Sequence, residues 1–149
     1  MPGPFAPNDT LVGPIVHQIA LTIQAQIPSI AYVYEKMPDR SPMDNSVIVP
    51  LTKAKVVDDT NGKLKIRLMF GLRHLFRRKQ MSDNVATAYT YIIPWSQMLA
   101  AWPNQTLGGL AISVSPSEIG VTQISESGQP MAALIVNFDV LTEINVPLT

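Results

Sequence analysis

Two histidines, one adjacent pair of carboxylates and one pair of glycines are the groups in this 149-residue chain from which chemistry could be built. His17 falls in a helical pattern and His74 stands among arginines, and neither has a second ligand at the spacing a metal site uses, so each reads as an ordinary surface or boundary residue. Asp58 and Asp59 sit in a turn between two strand-like runs, where solvation is their default role. Gly108-Gly109 lacks the third glycine and the preceding strand of a dinucleotide fingerprint, no Gly-Lys-Ser/Thr phosphate loop occurs, and the glycine pair reads as a turn. The absence of cysteine excludes a disulfide framework, a Cys-based zinc site and a thiol nucleophile. Spacing therefore nominates no nucleophile, base and orienting group, and the sequence predicts neither an enzyme nor a cofactor-binding protein.

The informative feature is the placement of charge. Lys53, Lys55, Lys63, Lys65, Arg67, Arg73, Arg77, Arg78 and Lys79 share one stretch with only Asp58 and Asp59, a balance of +7. The remainder carries Lys36 and Arg40 against nine acids, a balance of −7, so the formal net charge of +0 hides two oppositely charged parts. Charged residues are 15% of the chain, against about a quarter in an average soluble protein, which leaves little to keep copies apart. The basic stretch has three readings. It can be a solvated face of a hairpin, a nucleic-acid surface with Phe70 and Phe76 as weak stacking candidates, or one half of a head-to-tail contact whose other half is acidic, with Asp139 and Glu143 as partner acids.

The elements that must position these charges follow from hydrophobic periodicity. Ile15, Ile19, Ile23 and Ile27 recur at four-residue spacing and predict a helix from Leu11 to Pro28, capped by Asp9 or Thr10. Ile30 to Glu35 reads as a strand, and the loop KMPDRSPMDN after it as exposed. Ser46 to Val57 and Lys63 to Leu72 are strand-like runs in which Ala54 and Val56, and Leu64, Ile66, Leu68 and Phe70, take one face and the lysines and Arg67 the other. For the apolar faces to coincide, paired residues must have numbers of equal parity. That condition predicts an odd loop, Thr60-Asn61-Gly62, with Gly62 at positive φ and forming a bulge.

Ser82 or Asp83 can cap a second helix bearing Val85, Ala88, Tyr89, Ile92 and Ile93, which Pro94 stops or kinks. Trp95, Leu99 and Trp102 then share one stripe of a short helical segment and read as core. The last third is β: Leu110 to Val114, Ile119 to Ser125, a turn at Ser127-Gly128-Gln129, and a long strand from Met131 to Val146. In that strand Leu134, Val136, Phe138, Val140 and Ile144 oppose Asn137, Asp139, Glu143 and Asn145. The fold class predicted is α+β, an antiparallel or mixed sheet with one long hairpin, covered on one face by an N-terminal and a central helix.

Residues 10–149 make one domain, a size that buries roughly 70% of the unfolded surface. Residues 1–9, with Pro2, Pro4 and Pro7, read as an extended arm that can lie on a neighbour or stay disordered. MPGPFAPND has neither the basic start nor the apolar stretch of a secretory signal, and no window reaches the ~18 apolar residues of a membrane span, so a soluble, unexported protein is expected.

This order of elements resembles the tail terminator and neck (head-to-tail joining, tail completion) proteins of long-tailed bacteriophages. The resemblance runs from about Thr10 to Val146. It rests on the helix ending at Pro28, the strand at Ile30, the charged hairpin around Asn61-Gly62, the helical segment leading into Leu107-Gly108-Gly109, the Ile119-Gly120-Val121 turn and the last strand Ala132 to Ile144. Where such chains often carry a Gly-rich, Tyr-containing turn before the last strand, this one reads Ser127-Gly128-Gln129-Pro130-Met131. The resemblance implies a structural virion protein, made in the host cytoplasm, that forms a ring of six copies at the tail–head junction. Its partners would be the tail tube protein and head–tail connector proteins, with DNA passing through the lumen without sequence readout. The nine cations named above would then serve a subunit or partner interface, or face the lumen.

Overall fold

The computed structural model describes residues 6–60, 62–78, 80–102, 107–126 and 129–145. Its elements run α1 (Val12–Gln26), β1 (Tyr32–Tyr34), β2 (Ser46–Ile48), β3 (Leu51–Thr60), β4 (Lys63–Phe76), α2 (Met81–Thr90), α3 (Ile92–Ala101), β5 (Ser113–Glu126) and β6 (Gln129–Asn145). The sheet has the order β1-β2-β4-β6-β5, and β3 lies on the same side of β4 as β2, further along it. All pairings are antiparallel except β1 with β2. This is the α+β class predicted, with a mixed sheet.

At its centre β4 pairs with β6 without a break from Lys63↔Asn145 to Phe76↔Ala132. Alternation along this ladder sends Leu68, Phe70, Leu72, Phe76, Leu134, Val136, Phe138 and Val140 to one face, where all are buried. Phe138 stacks on Phe70 with centroids 5.4 Å apart and meets Trp102 edge-on at 4.4 Å. The helices cover this face alone, through Ile15, Ile19 and Ile23 of α1, Ala88 of α2 and Trp95, Met98 and Leu99 of α3.

Local chemistry explains the element boundaries. Asp9 Oδ1 accepts the Gly13 N–H at 2.9 Å, relieving one of the unpaired donors at the start of α1, and Pro14 occupies the first turn, where its missing N–H costs no helical bond. The helix ends one residue before Ile27, whose N–H still reaches Ile23 O. Pro94 lacks the N–H that would bond Thr90 and its ring crowds that carbonyl, so one helix becomes two at Tyr91. Of the apolar set assigned to the central helix, Ala88 is buried and Val85 and Ile92 half-buried, while Tyr89 and Ile93 are exposed. Leu107, Gly108 and Gly109 all take positive φ, so the predicted glycine turn is tighter than two glycines alone require.

Several boundaries differ from expectation. The run Ser46 to Val57 is cut at Val49-Pro50, because proline cannot donate to the ladder; Leu51↔Phe70 continues the register of Ser46↔Leu75, and the pairing then shifts by one residue between Leu51 and Lys53. The hairpin closes with Thr60↔Lys63, leaving two residues between them rather than three. Gly62 has φ 80° as predicted, but equal parity is restored by an irregularity between Val56 and Asp58, so that Val56 faces Ile66 and Lys55 faces Arg67. In the last third, Leu110 to Val114 and Ile119 to Ser125 are not two strands. Ser113–Glu126 is continuous, with a bulge between Pro116 and Glu118.

Residues 6–9 carry no regular structure. The rest of the N-terminal arm, Asn61, the Ser127-Gly128 turn and residues 146–149 lie outside the described residues. No helix among the described residues is long and apolar enough to cross a membrane. Burial of Ile19 and Phe138 predicts that Ile19→Ala and Phe138→Ala each lower unfolding free energy by about 2 to 5 kcal/mol, measured by urea denaturation.

Candidate functional site: the uncovered face and edges of the sheet

The ladder that buries one set of residues turns the alternate set outward. Lys65, Arg67, Met69 and Arg73 of β4, with Lys53 and Lys55 of β3 paired to Met69 and Arg67, lie on the face opposite the helices. Lys53, Lys55 and Arg73 are exposed, and Lys65 and Arg67 half-buried. Lys63, at the tip of the hairpin, sits 3.6 Å from Glu143 Oε1. Six of the nine cations singled out from sequence are thus on two neighbouring strands.

The partner acids named from sequence lie on the next strand of the same chain. Asp139 pairs with Met69 and Glu143 with Lys65, and both belong to this uncovered face. β5 and β6 carry four acids, Glu118, Glu126, Asp139 and Glu143, and no cation; β3 and β4 carry the six cations and Asp58 and Asp59. Formal charge across the sheet therefore runs from +4 on β3-β4 to −4 on β6-β5. Beyond the reach of the helices the β3 arm of the hairpin is exposed: Ala54 is exposed, Val56 is 60% exposed and Val57 44%, while Leu64 and Ile66 of β4 stay half-buried.

Arg77 and Arg78 do not join this surface. Both follow β4 at its other end, where Arg77 Nη1 donates to Pro42 O at 2.8 Å, Nη2 donates to Gln129 Oε1 at 2.5 Å, and its backbone N–H donates to Asp44 Oδ1 at 2.8 Å. Arg78 Nε lies 3.6 Å from Asp44 Oδ2, and its backbone N–H and carbonyl are both held by the buried Asn84 side chain, which also donates to Pro130 O. This cluster fastens the loop after β1 to the ends of β4 and β6. That loop is exposed over most of its length, as expected, but Pro42 is buried, and the segment folds over Ile48, Leu75 and Met131 on the otherwise bare face, leaving an open cavity of about 380 Å³ beside Arg40 and Arg73. Lys79 lies outside the described residues.

His74 departs most from the sequence reading. It is fully buried, not a boundary residue. Trp95 Nε1 can only donate, and does so to His74 Nδ1 at 3.0 Å, which leaves the imidazole proton on Nε2 to be donated to Asn45 Oδ1 at 2.7 Å. Asn45, at φ 58°, passes its amide N–H to Ser29 O at 2.8 Å, and Ser29 Oγ meets the Tyr91 hydroxyl at 3.0 Å. Burial pushes the His74 pKa down to about 3, so the ring is a neutral structural relay between β4, α3 and two loops. Its even number, in phase with Leu72 and Phe76, is the signal that would have placed it inside. His17 is exposed and 3.1 Å from Glu35. Among the described residues no three His, Asp or Glu side chains gather where a metal could be held.

No known family and no curated protein matches the chain. One solved structure, whose name states no function, aligns with 83% of this chain and 88% of its own at 14% identity and a TM-score of 0.44, a likeness too slight to carry an argument.

Two outcomes follow from this geometry. Arg77→Ala should lower stability by about 1 to 3 kcal/mol, because the two hydrogen bonds of a charged guanidinium to Pro42 O and Gln129 Oε1 are lost, whereas Lys55→Ala should change it by under about 0.5 kcal/mol in thermal unfolding. For His74, the folded pKa lies below the unfolded one of 6.5, so its contribution is intact above pH 6.5 and is lost as the unfolded chain takes up a proton on acidification toward pH 3. Between pH 6 and 4 the native protein should lose about 1.4 kcal/mol per pH unit more than a His74→Gln variant, read from urea midpoints at each pH.

Proposed function

We propose that the protein is a structural virion component that assembles head to tail into a ring at the junction of a phage tail with its head, ending tube polymerisation and offering a surface to the neck. The observation that carries this reading is the division of the sheet into a cationic and an anionic side, with long edge strands on each. A copy built this way is complementary to the next copy in the same orientation, and repeated rotation of one such contact closes a ring. The order of elements, which resembles tail terminator and neck proteins, supplies the setting and the six-fold number. The interaction chemistry would be surface matching: one ring face toward the tube subunit, the other toward the connector.

A second reading, a nucleic-acid-binding module, is favoured by Lys53, Lys55, Lys65, Arg67 and Arg73 standing together on one uncovered face. The two readings meet if that face lines the ring opening, where DNA must slide and weak phosphate contacts suffice.

Solution mass measured over a range of concentrations, with imaging of purified protein and of particles, is the test. A ring of about six copies, present once per virion, is expected. A monomer at every concentration that is missing from virions rejects the assembly reading. Tight binding to duplex or single-stranded DNA that falls steeply with salt would favour the module instead.

A further inference from the structure

The four long strands stand in the order β3-β4-β6-β5, so β3 and β5 are the two free edges of this part of the sheet, each paired on one side only. β3 runs antiparallel to β4, β4 to β6 and β6 to β5, which makes β3 and β5 antiparallel to each other within one chain. Rotation about a ring axis preserves strand direction, so the β3 of one copy and the β5 of the next are antiparallel as well. Both edges carry exposed apolar side chains, Val56 and Val57 on β3 and Val121 and Ile124 on β5. Unpaired edges of this kind are the usual template for strand addition.

Symmetry decides which edges meet. Two β3 edges, or two β5 edges, joined about a two-fold axis make an isologous contact that stops at a dimer, whereas β3 against β5 is heterologous and able to close a ring. The charge of the two sides agrees: β3-β4 together carry +4 and β6-β5 −4, although β3 alone balances Lys53 and Lys55 against Asp58 and Asp59. We infer that the ring partner is a second copy of this chain bound edge to edge, β3 against the neighbour's β5, so that one sheet runs unbroken around the ring with the cationic face turned to the lumen and the helices outside.

The inference rests on the ring reading and adds a geometric demand. β3 stands level with the first half of β4 and the segment Glu118–Glu126 of β5 with its second half. Without tilt the part of β5 level with β3 is Ser113–Pro116, and Glu118–Glu126 meets a neighbour's β3 only if the strands incline to the ring axis, as strands in closed barrels do by about 35–45°. Pro116, which has no N–H, sits at the bulge, outside that segment.

Because the chain has no cysteine, a cross-linking test is clean. Ala54 and Val121 are exposed and project on the same side of the sheet, since each is paired with a core residue, Leu68 and Leu134. A chain carrying both Ala54→Cys and Val121→Cys, treated with a short bismaleimide, should give a denaturant-resistant ladder up to the full ring, while either single variant stays monomeric on the gel. In parallel, Lys55→Glu should raise the concentration at which the ring dissociates by at least about tenfold, and adding Glu118→Lys should restore most of that loss. Dimers from Ala54→Cys alone mean that like edges meet and overturn the inference. A ring by mass with no ladder and no charge rescue also overturns it while leaving the ring reading intact; a monomer by mass removes both.

Discussion

The fourteen-pair ladder between β4 and β6 is the constraint on which the rest of the structure depends. With no bulge along it, every residue of these strands is committed to one face or the other by number alone. Even positions from Leu68 to Phe76 and from Ala132 to Thr142 form the floor of the core, on which three helices rest. Odd positions are sent to the opposite face, and there the cations of β4 come to lie beside the acids of β6. Core and charged surface are thus two consequences of one register.

His74 shows how firmly that register holds. An imidazole in phase with the core residues is carried inside whatever its polarity, and burial without a hydrogen-bond partner would be costly. Trp95 and Asn45 supply one partner for each ring nitrogen, and the Asn45 backbone adopts a left-handed conformation to reach it. The result ties the helical layer to the loop before β2. Arg77 plays a matching part at the same end of the sheet, binding Pro42, Asp44 and Gln129. One end of the sheet is therefore tightly fastened and the other, the β3-β4 hairpin, is left bare.

That asymmetry is what the proposed assembly would use. The outer part of the hairpin, with Ala54, Val56 and Val57 exposed, leaves apolar side chains that the core of its own chain does not cover. In the proposed ring the β3-β4 side of the sheet, at +4, and the β6-β5 side, at −4, would give each copy a donor side and a receiving side. Contacts of this type act through complementary potential and shape, which select the partner and its orientation, rather than through any reacting group.

Periodicity alone was enough for the α+β class, the isoleucine face of α1, the inward set of β6 and the positive φ of Gly62, because each is decided by spacing within one element. It also gave the segregation of charge, which is a property of composition. The long-range pairings were decided only by the tertiary structure. The two-residue closure of the hairpin with its compensating irregularity near Val57, the joining of Ser113 to Glu126 into one strand, the burial of His74 and the internal commitment of Arg77 all depend on which distant strand or loop lies alongside. A basic residue reads the same in sequence whether it faces solvent or a carbonyl thirty-five positions away. Its surroundings, and hence its role, exist only once the chain has closed on itself.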